Sequence, residues 1–412
     1  MAFVLSIRQR RSDDIANRMR QFRAATDTVE AAGISVPRFT AEFWTARQRQ
    51  ASSLHEVSYR ACFKPQLPAF FIQLLTQPGD TVFDPFSGRG TTALEAGMSG
   101  RRVVANDINP LSALLARPRF FVPDLEALHQ RLSSLRFRSG RRADIDLSMF
   151  YHRRTESELV GLRSYLDRRR AAGTEDAIDA WIRMVATNRL TGHSVGFFSV
   201  YTLPPNQAVT ADRQRLINRR LRQRPPERDV RAIILRKSAQ LVRSVTPEQM
   251  RTLREAGRKA RFLTGDARKL RSIRSATVGL TVTSPPFLNM VDYASDNWLR
   301  CWFNGIDAEA VSKEITVTSS LPVWERAMDG VFAELHRITR PGGWVAFEVG
   351  EVRRGNLRLD ESVVPIGVRN GFVCKAIIIN LQRFTKTSNI WGIENNSRGT
   401  NTNRIVLFQS AG

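Results

Sequence analysis

The chain has 412 residues, 42% of them hydrophobic, and sets 63 lysines and arginines against 39 acids for a net charge of +24. That length can bury a large core, no apolar run approaches the roughly 20 residues of a membrane helix, and three scattered cysteines (Cys62, Cys301, Cys374) exclude a disulfide scaffold or a cysteine-built zinc module. The basic excess points to a polyanionic partner, nucleic acid before an anionic membrane surface.

In chain order, residues 1–55 read as a basic, helical N-terminal segment without a catalytic signature. MAFVLSI runs straight into RQRR, the wrong charge order and length for a signal peptide, so a reducing cytoplasm is expected. FKPQLPAFFIQLL (63–75) reads as a helix. PGDTVFDPFSGRGTTALEAGMSGRRVVANDINP (78–110) reads as a strand over Thr81–Phe83, a glycine loop, a helix and a second strand. Helical pattern dominates from 124 to 260, broken by one strand-like run, VGFFSVYTLPP (195–205). Strand patterns return at ARFLTGDARKL and VGLTVTSPP, and a helix near 322–339 leads to RPGGWVAFEVGEV. FVCKAIIINLQRF and NRIVLFQ can pair as a hairpin. This alternation predicts an α/β fold with a mainly parallel sheet covered on both faces, ending in an antiparallel C-terminal hairpin. A largely helical, basic insertion over 121–260 divides a catalytic domain made of 56–120 and 261–412.

The glycine loop carries the first chemistry. In TVFDPFSGRGTT a strand delivers Asp84 and then Ser87-Gly88-Arg89-Gly90 to a tight turn before Thr91 and Thr92 open a helix. Glycine is wanted where a backbone needs positive φ and a close ligand. Asp107, one βαβ step later, stands where a carboxylate accepts ribose hydroxyls. The pattern lacks the third glycine of a dinucleotide site and the Gly-Lys-Ser/Thr of a phosphate loop. Asp84 would repel a pyrophosphate and suits a cationic nucleoside, which points to S-adenosyl-L-methionine.

DPFSGRGTT, TGDAR and TSPPF together resemble the DNA amino-methyltransferases, which methylate the exocyclic amine of cytosine or adenine. The resemblance implies a Rossmann-like fold and a cofactor held by Phe63, Lys64, Asp84, Phe86, Ser87, Gly88, Gly90, Thr91, Thr92, Asp107, Ile108, Asp266 and Ala267. FKPQLPAFF is similar to the helix that encloses the methionine part, and Asp266 to the adenine contact. RPGG (340–343) resembles the turn after a helix common in such methyltransferases. Ser284, Pro285, Pro286 and Phe287 would form the catalytic motif. Ser284 Oγ and the Pro285 carbonyl each accept one amine N–H, the prolines fix the backbone, and Phe287 stacks on a base flipped from the duplex. Asp292 and Tyr293 follow as pocket walls. Ser-Pro-Pro-aromatic goes with cytosine N4 in that family, and adenine N6 is the alternative. An RNA or protein-amide methyltransferase and a non-catalytic DNA-binding module are further readings. Cytosine C5 chemistry is excluded because no Pro-Cys dipeptide occurs.

Residues 213–243 contain 11 lysines and arginines and two acids. Arg215, Arg219 and Arg222 recur at helical spacing, with Arg220 and Arg224 nearby, a face suited to the phosphates of double-stranded DNA. ENNSRGTNTNR (394–404) suits groove contacts. The resemblance also allows a cognate restriction endonuclease as partner and a bacterial or phage origin. No metal site is expected.

Overall fold

The computed structural model describes residues 14–44, 51–60, 62–203, 209–286, 293–315, 318–349, 351–352, 357–381 and 402–411. The chain begins with helix α1 (Asp14–Gln21) and strands β1 (Ala25–Ala31) and β2 (Ile34–Ala41). These strands correct the reading of the N-terminal segment as helical. They form a hairpin closed by Ala32 and Gly33 at φ 50° and 78°. A two-residue loop with positive φ twists as its strands do.

Next come α2 (Gln66–Leu75), β3 (Thr81–Asp84), α3 (Thr91–Met98), β4 (Arg102–Asp107) and α4 (Leu111–Ala116). The insertion supplies α5 (Leu125–Ser134), α6 (Arg153–Ala171), α7 (Ala177–Arg189), α8 (Ala211–Arg220), α9 (Val230–Val242) and α10 (Pro247–Lys259). VGFFSVYTLPP forms no strand within its described part. Phe198 N–H donates to the Arg189 carbonyl and Val200 N–H to that of Phe150, so its backbone bonds scatter instead of forming a ladder. Residues 204–205 of that run lie outside the described residues.

The second half of the sheet domain continues with β5 (Arg261–Thr264), β6 (Val278–Thr283), α11 (Tyr293–Asn304), α12 (Ala308–Glu314), α13 (Leu321–Ile338) and β7 (Thr339–Val349). RPGG bulges from β7 where its register against β6 jumps from Thr339 to Trp344. A short β8 (Glu351–Val352) pairs with β9 (Leu357–Arg358). Helix α14 (Leu359–Arg369) and the expected hairpin of β10 (Phe372–Leu381) and β11 (Thr402–Ser410) follow.

Among the described residues, nine strands make one sheet in the order β1-β2-β10-β11-β7-β6-β3-β4-β5. The run from β7 to β5 is parallel, and β11 is antiparallel to both its neighbours. Alternating side chains feed two cores. On β7, Trp344 and Ala346 enter one core, while Val345, Phe347 and Val349 enter the other against α13 and α14. Helix α13 turns Trp324, Ala327, Met328, Val331, Phe332 and Leu335 inward, the stripe of an amphipathic helix. Buried residues of the insertion, including Leu128, Trp181 and Ile234, are continuous with the first core. The insertion is thus packed onto the sheet rather than tethered beside it.

Candidate active site

Strand order reverses between β3 and β6, since β4 and β5 extend one way and β6 begins the other half. Open α/β sheets hold ligands at the carboxyl ends of strands at such a point. A cleft of about 1000 Å³, mouth included, opens there. The loop after β3 contributes Phe86, Ser87 and Gly88, and the turn after β4 contributes Asp107 and Ile108. Asp266 and Ala267 follow β5, Ser284 and Pro286 follow β6, and Phe63 and Thr91 complete the predicted set that lines the cleft.

The glycine loop is shaped by steric demand. Gly88 and Gly90 have φ of 51° and 78°, and a Cβ on Gly90 would sit 2.5 Å from that of Ala116. Gly88 N–H donates to Asp107 Oδ2 (2.7 Å) and Asn109 N–H to Oδ1 (2.9 Å). Desolvation pushes the Asp107 carboxyl up to about 6 despite these donors. The loop and the acid therefore form one unit.

Several predicted residues stand behind this lining. Asp84 is buried beneath the floor, where Thr283 Oγ1 donates to its Oδ1 (2.6 Å) and Phe86 N–H caps the same oxygen (3.1 Å). Burial pushes its carboxyl up to about 7. Thr92 Oγ1 donates to the Val282 carbonyl, tying α3 to β6. Gly90 makes the turn, and Lys64, its ammonium pulled down by desolvation, and Pro285 are likewise not among the lining residues. Asp266 does line the cleft but is held by Arg268, whose amide and guanidinium donate to Oδ1 at 2.8 and 2.9 Å. Burial raises that carboxyl, Arg268 outweighs it, and the net position is below the usual range. Phe287 and Asp292 lie outside the described residues.

The structure adds residues that no motif announced. Trp324, buried on α13, donates its indole N–H to the Pro286 carbonyl (2.9 Å). Glu348, buried on β7, stands close enough to Ser284 for the serine to favour its ionised form, and it accepts from Asn403 Nδ2 (2.8 Å). Burial pushes its carboxyl above the ordinary glutamate range, against both neighbours. Only the pairing of Thr283 with Phe347 brings Ser284 beside Glu348. Tyr59, Cys62 and Met328 also face the cleft, and desolvation pushes the Cys62 thiol up, away from the thiolate.

The lining fits an adenosyl ligand. Among the described residues Ser87 Oγ is buried with no hydrogen-bond partner, although its residue faces the cleft. A Cβ on Gly88 would fill the space 3.5 Å from Cys62 Sγ and 3.6 Å from the Tyr59 ring. An acid for hydroxyls, an orphaned hydroxyl and the apolar Phe86, Ile108 and Met328 suit a nucleoside. Among the described residues, no group of three histidine, cysteine or acidic side chains is placed to hold a metal ion.

The predicted DNA-contacting arginines diverge. Arg215 on α8 is ion-paired with Asp146 (2.8 Å) and Asp212 (2.7 Å). Arg219, Arg220, Arg222 and Arg224 are exposed, the last two beyond the helix end, with Arg222 at φ 49°. The described part of ENNSRGTNTNR, residues 402–404, belongs to β11.

Residues 17–116 match the family model described as DNA methylase, of the N6/N4 type. Type II methyltransferase M.MjaII of Methanocaldococcus jannaschii is 30% identical over 86 residues, which are 21% of this chain and 16% of that relative's length. Among solved structures, TTHA0409 of Thermus thermophilus complexed with S-adenosyl-L-methionine is 24% identical, covering 36% of this chain and 54% of that one with a TM-score of 0.22. The rRNA methyltransferase aviRa of Streptomyces viridochromogenes is 13% identical, covering 87% and 90% with a TM-score of 0.34. The family match runs through the glycine loop and its acidic follower, so this part of the chain is similar to the DNA methylases of the N6/N4 type, and the chain spans only a small part of the length of the curated relative it matches.

Proposed function

We propose that the protein methylates the exocyclic N4 amine of a cytosine flipped out of double-stranded DNA, within a specific sequence. The carrying observation is that Ser284, at the end of β6, shares one cleft with the Gly88–Asp107 unit. Gly88, Ser87, Asp107 and the apolar wall would hold the cofactor. When bound, S-adenosyl-L-methionine supplies an electrophilic methyl group on a sulfonium.

An exocyclic amine is a poor nucleophile because its lone pair is delocalised into the ring. Ser284 Oγ and the Pro285 carbonyl accept its two N–H groups and draw the nitrogen toward sp³ geometry. Two prolines fix the backbone. Trp324 holds the Pro286 carbonyl, which leaves that of Pro285 as the backbone acceptor. Glu348, beside Ser284, would accept from its hydroxyl and so turn an oxygen lone pair toward the amine. As the N–C bond forms and the methyl–sulfur bond breaks, leaving a neutral thioether, the amine proton would pass to Ser284 Oγ while the serine proton passes to Glu348. Flipping costs a few kcal/mol, and positioning of the two reactants supplies much of the rate.

Adenine N6 methylation is the second reading, since the same acceptors serve that amine; the serine before Pro-Pro favours cytosine by family habit. Methyl transfer from labelled cofactor to duplex DNA tests the site. Ser284→Ala is expected to lower kcat by about a hundredfold or more, with calorimetric cofactor affinity unchanged. Full activity in that variant would remove the assignment.

A further inference from the structure

The insertion neutralises many of its arginines. Arg131, Arg142, Arg163, Arg169, Arg170 and Arg183 each meet a carboxylate at 2.5 to 3.3 Å. Arg136, Arg138, Arg141 and Arg168 do not: among the described residues no carboxylate pairs with them. These four line one cleft of about 670 Å³, mouth included, between residues 135–141 and α6. It shares no lining residue with the candidate active site.

The cleft is built before any ligand arrives. Ser157 Oγ accepts from the Arg141 amide (3.1 Å) and donates to the Arg138 carbonyl (3.1 Å), clamping the segment to α6. Glu156 Oε1 accepts from the Ala143 amide (3.1 Å). The Phe137 ring rests on Gly161, where a Cβ would come within 2.8 Å, and lies under the Arg231 guanidinium at 4.7 Å. Gly161, Tyr165 and Arg168 share one face of α6 at helical spacing.

Four guanidinium groups on one cleft repel one another unless an anion lies between them. Their planar forks match phosphate oxygens in pairs. One free phosphate brings a charge of only about −2, so successive diester groups of a polymer balance the cleft better. We propose that this arginine cleft grips the backbone phosphates of double-stranded DNA without reading sequence. The choice of duplex DNA rests on the proposed function; the test measures binding without cofactor or turnover, so failed methylation and a failed cleft are distinguishable.

The experiment compares the full chain with an Arg138→Gln/Arg141→Gln/Arg168→Gln variant, using a 30-base-pair duplex and a series of salt concentrations. Each lost phosphate contact removes about 0.9 from the slope of log affinity against log salt. A slope smaller by about 2 to 3, with equal loss on unrelated duplex sequences and unchanged cofactor affinity, is the expected result. An Arg251→Gln/Arg254→Gln/Arg258→Gln variant removes the same charge from α10 and is expected to change the slope by less than 1. Equal effects from the two variants would reduce the cleft to net charge and overturn the proposal. So would an unchanged slope, a loss confined to an RNA hairpin, or protection of the cleft by millimolar inorganic phosphate as effectively as by duplex.

Discussion

Asp107 and Glu348 are two carboxylates raised by the same cause, burial, and placed at opposite ends of the proposed transfer. Asp107 faces a neutral partner, and its ionised form accepts hydroxyls more strongly than its protonated form. With its carboxyl near 6, cofactor affinity is expected to climb as pH rises through about 6 and to level off above. Asp107→Asn flattens that profile and weakens binding about tenfold to a hundredfold at neutral pH, as loss of a charged hydrogen bond does; calorimetry at several pH values reads both. Glu348 acts through Ser284. Activity is expected to fall as pH drops through its raised pKa, because the protonated acid no longer accepts the serine proton. Glu348→Gln should lower kcat about tenfold or more with little change in KM, and the acid limb of its pH–rate profile should disappear. A structural role alone would leave that limb in place. The sequence announces Asp107, which follows a glycine loop at a set distance. It is silent on Glu348, which reaches Ser284 only through strand register across 64 positions of the chain.

Elements differ in how openly they are written. Helix α13 is legible from its apolar stripe, and the β10–β11 hairpin from two long β-branched runs. The β1–β2 hairpin is not, because its turn is Ala32-Gly33 where Asn-Gly is the familiar signal, and because Pro37 interrupts the second strand. What holds that hairpin is also remote in sequence. Asn380 Oδ1 accepts from the amides of Phe43 (2.8 Å) and Trp44 (3.1 Å), and its Nδ2 donates to the Trp44 carbonyl (3.2 Å). Trp44 packs in turn on Phe70 and Phe71 of α2, the helix that follows Phe63 at the cleft. Asn380→Ala strands two buried donors and is expected to cost about 2–4 kcal/mol, read as a lower urea midpoint. A change below about 0.5 kcal/mol is what a surface substitution gives and would mean that the hairpin is merely appended.

At the scale of the whole molecule, net charge of +24 alone says little about where DNA lies. Arginines that look alike in sequence separate once carboxylates are placed: Arg215 is neutralised across the chain by Asp146, while the cleft at Arg138 and Arg168 is left uncompensated. The described helices include none long and apolar enough to cross a membrane. The parallel order of the central sheet puts four loops, those after β3, β4, β5 and β6, around one cleft. That convergence supports the proposed methyl transfer to an exocyclic amine. Its most direct test is duplex DNA incubated with the protein and isotopically labelled S-adenosyl-L-methionine, then hydrolysed to nucleosides and resolved by mass spectrometry. Label is expected in N4-methylcytosine, with N6-methyladenine marking the second reading; label in C5-methylcytosine, or none in DNA while RNA is labelled, would rule out transfer to an exocyclic amine of DNA.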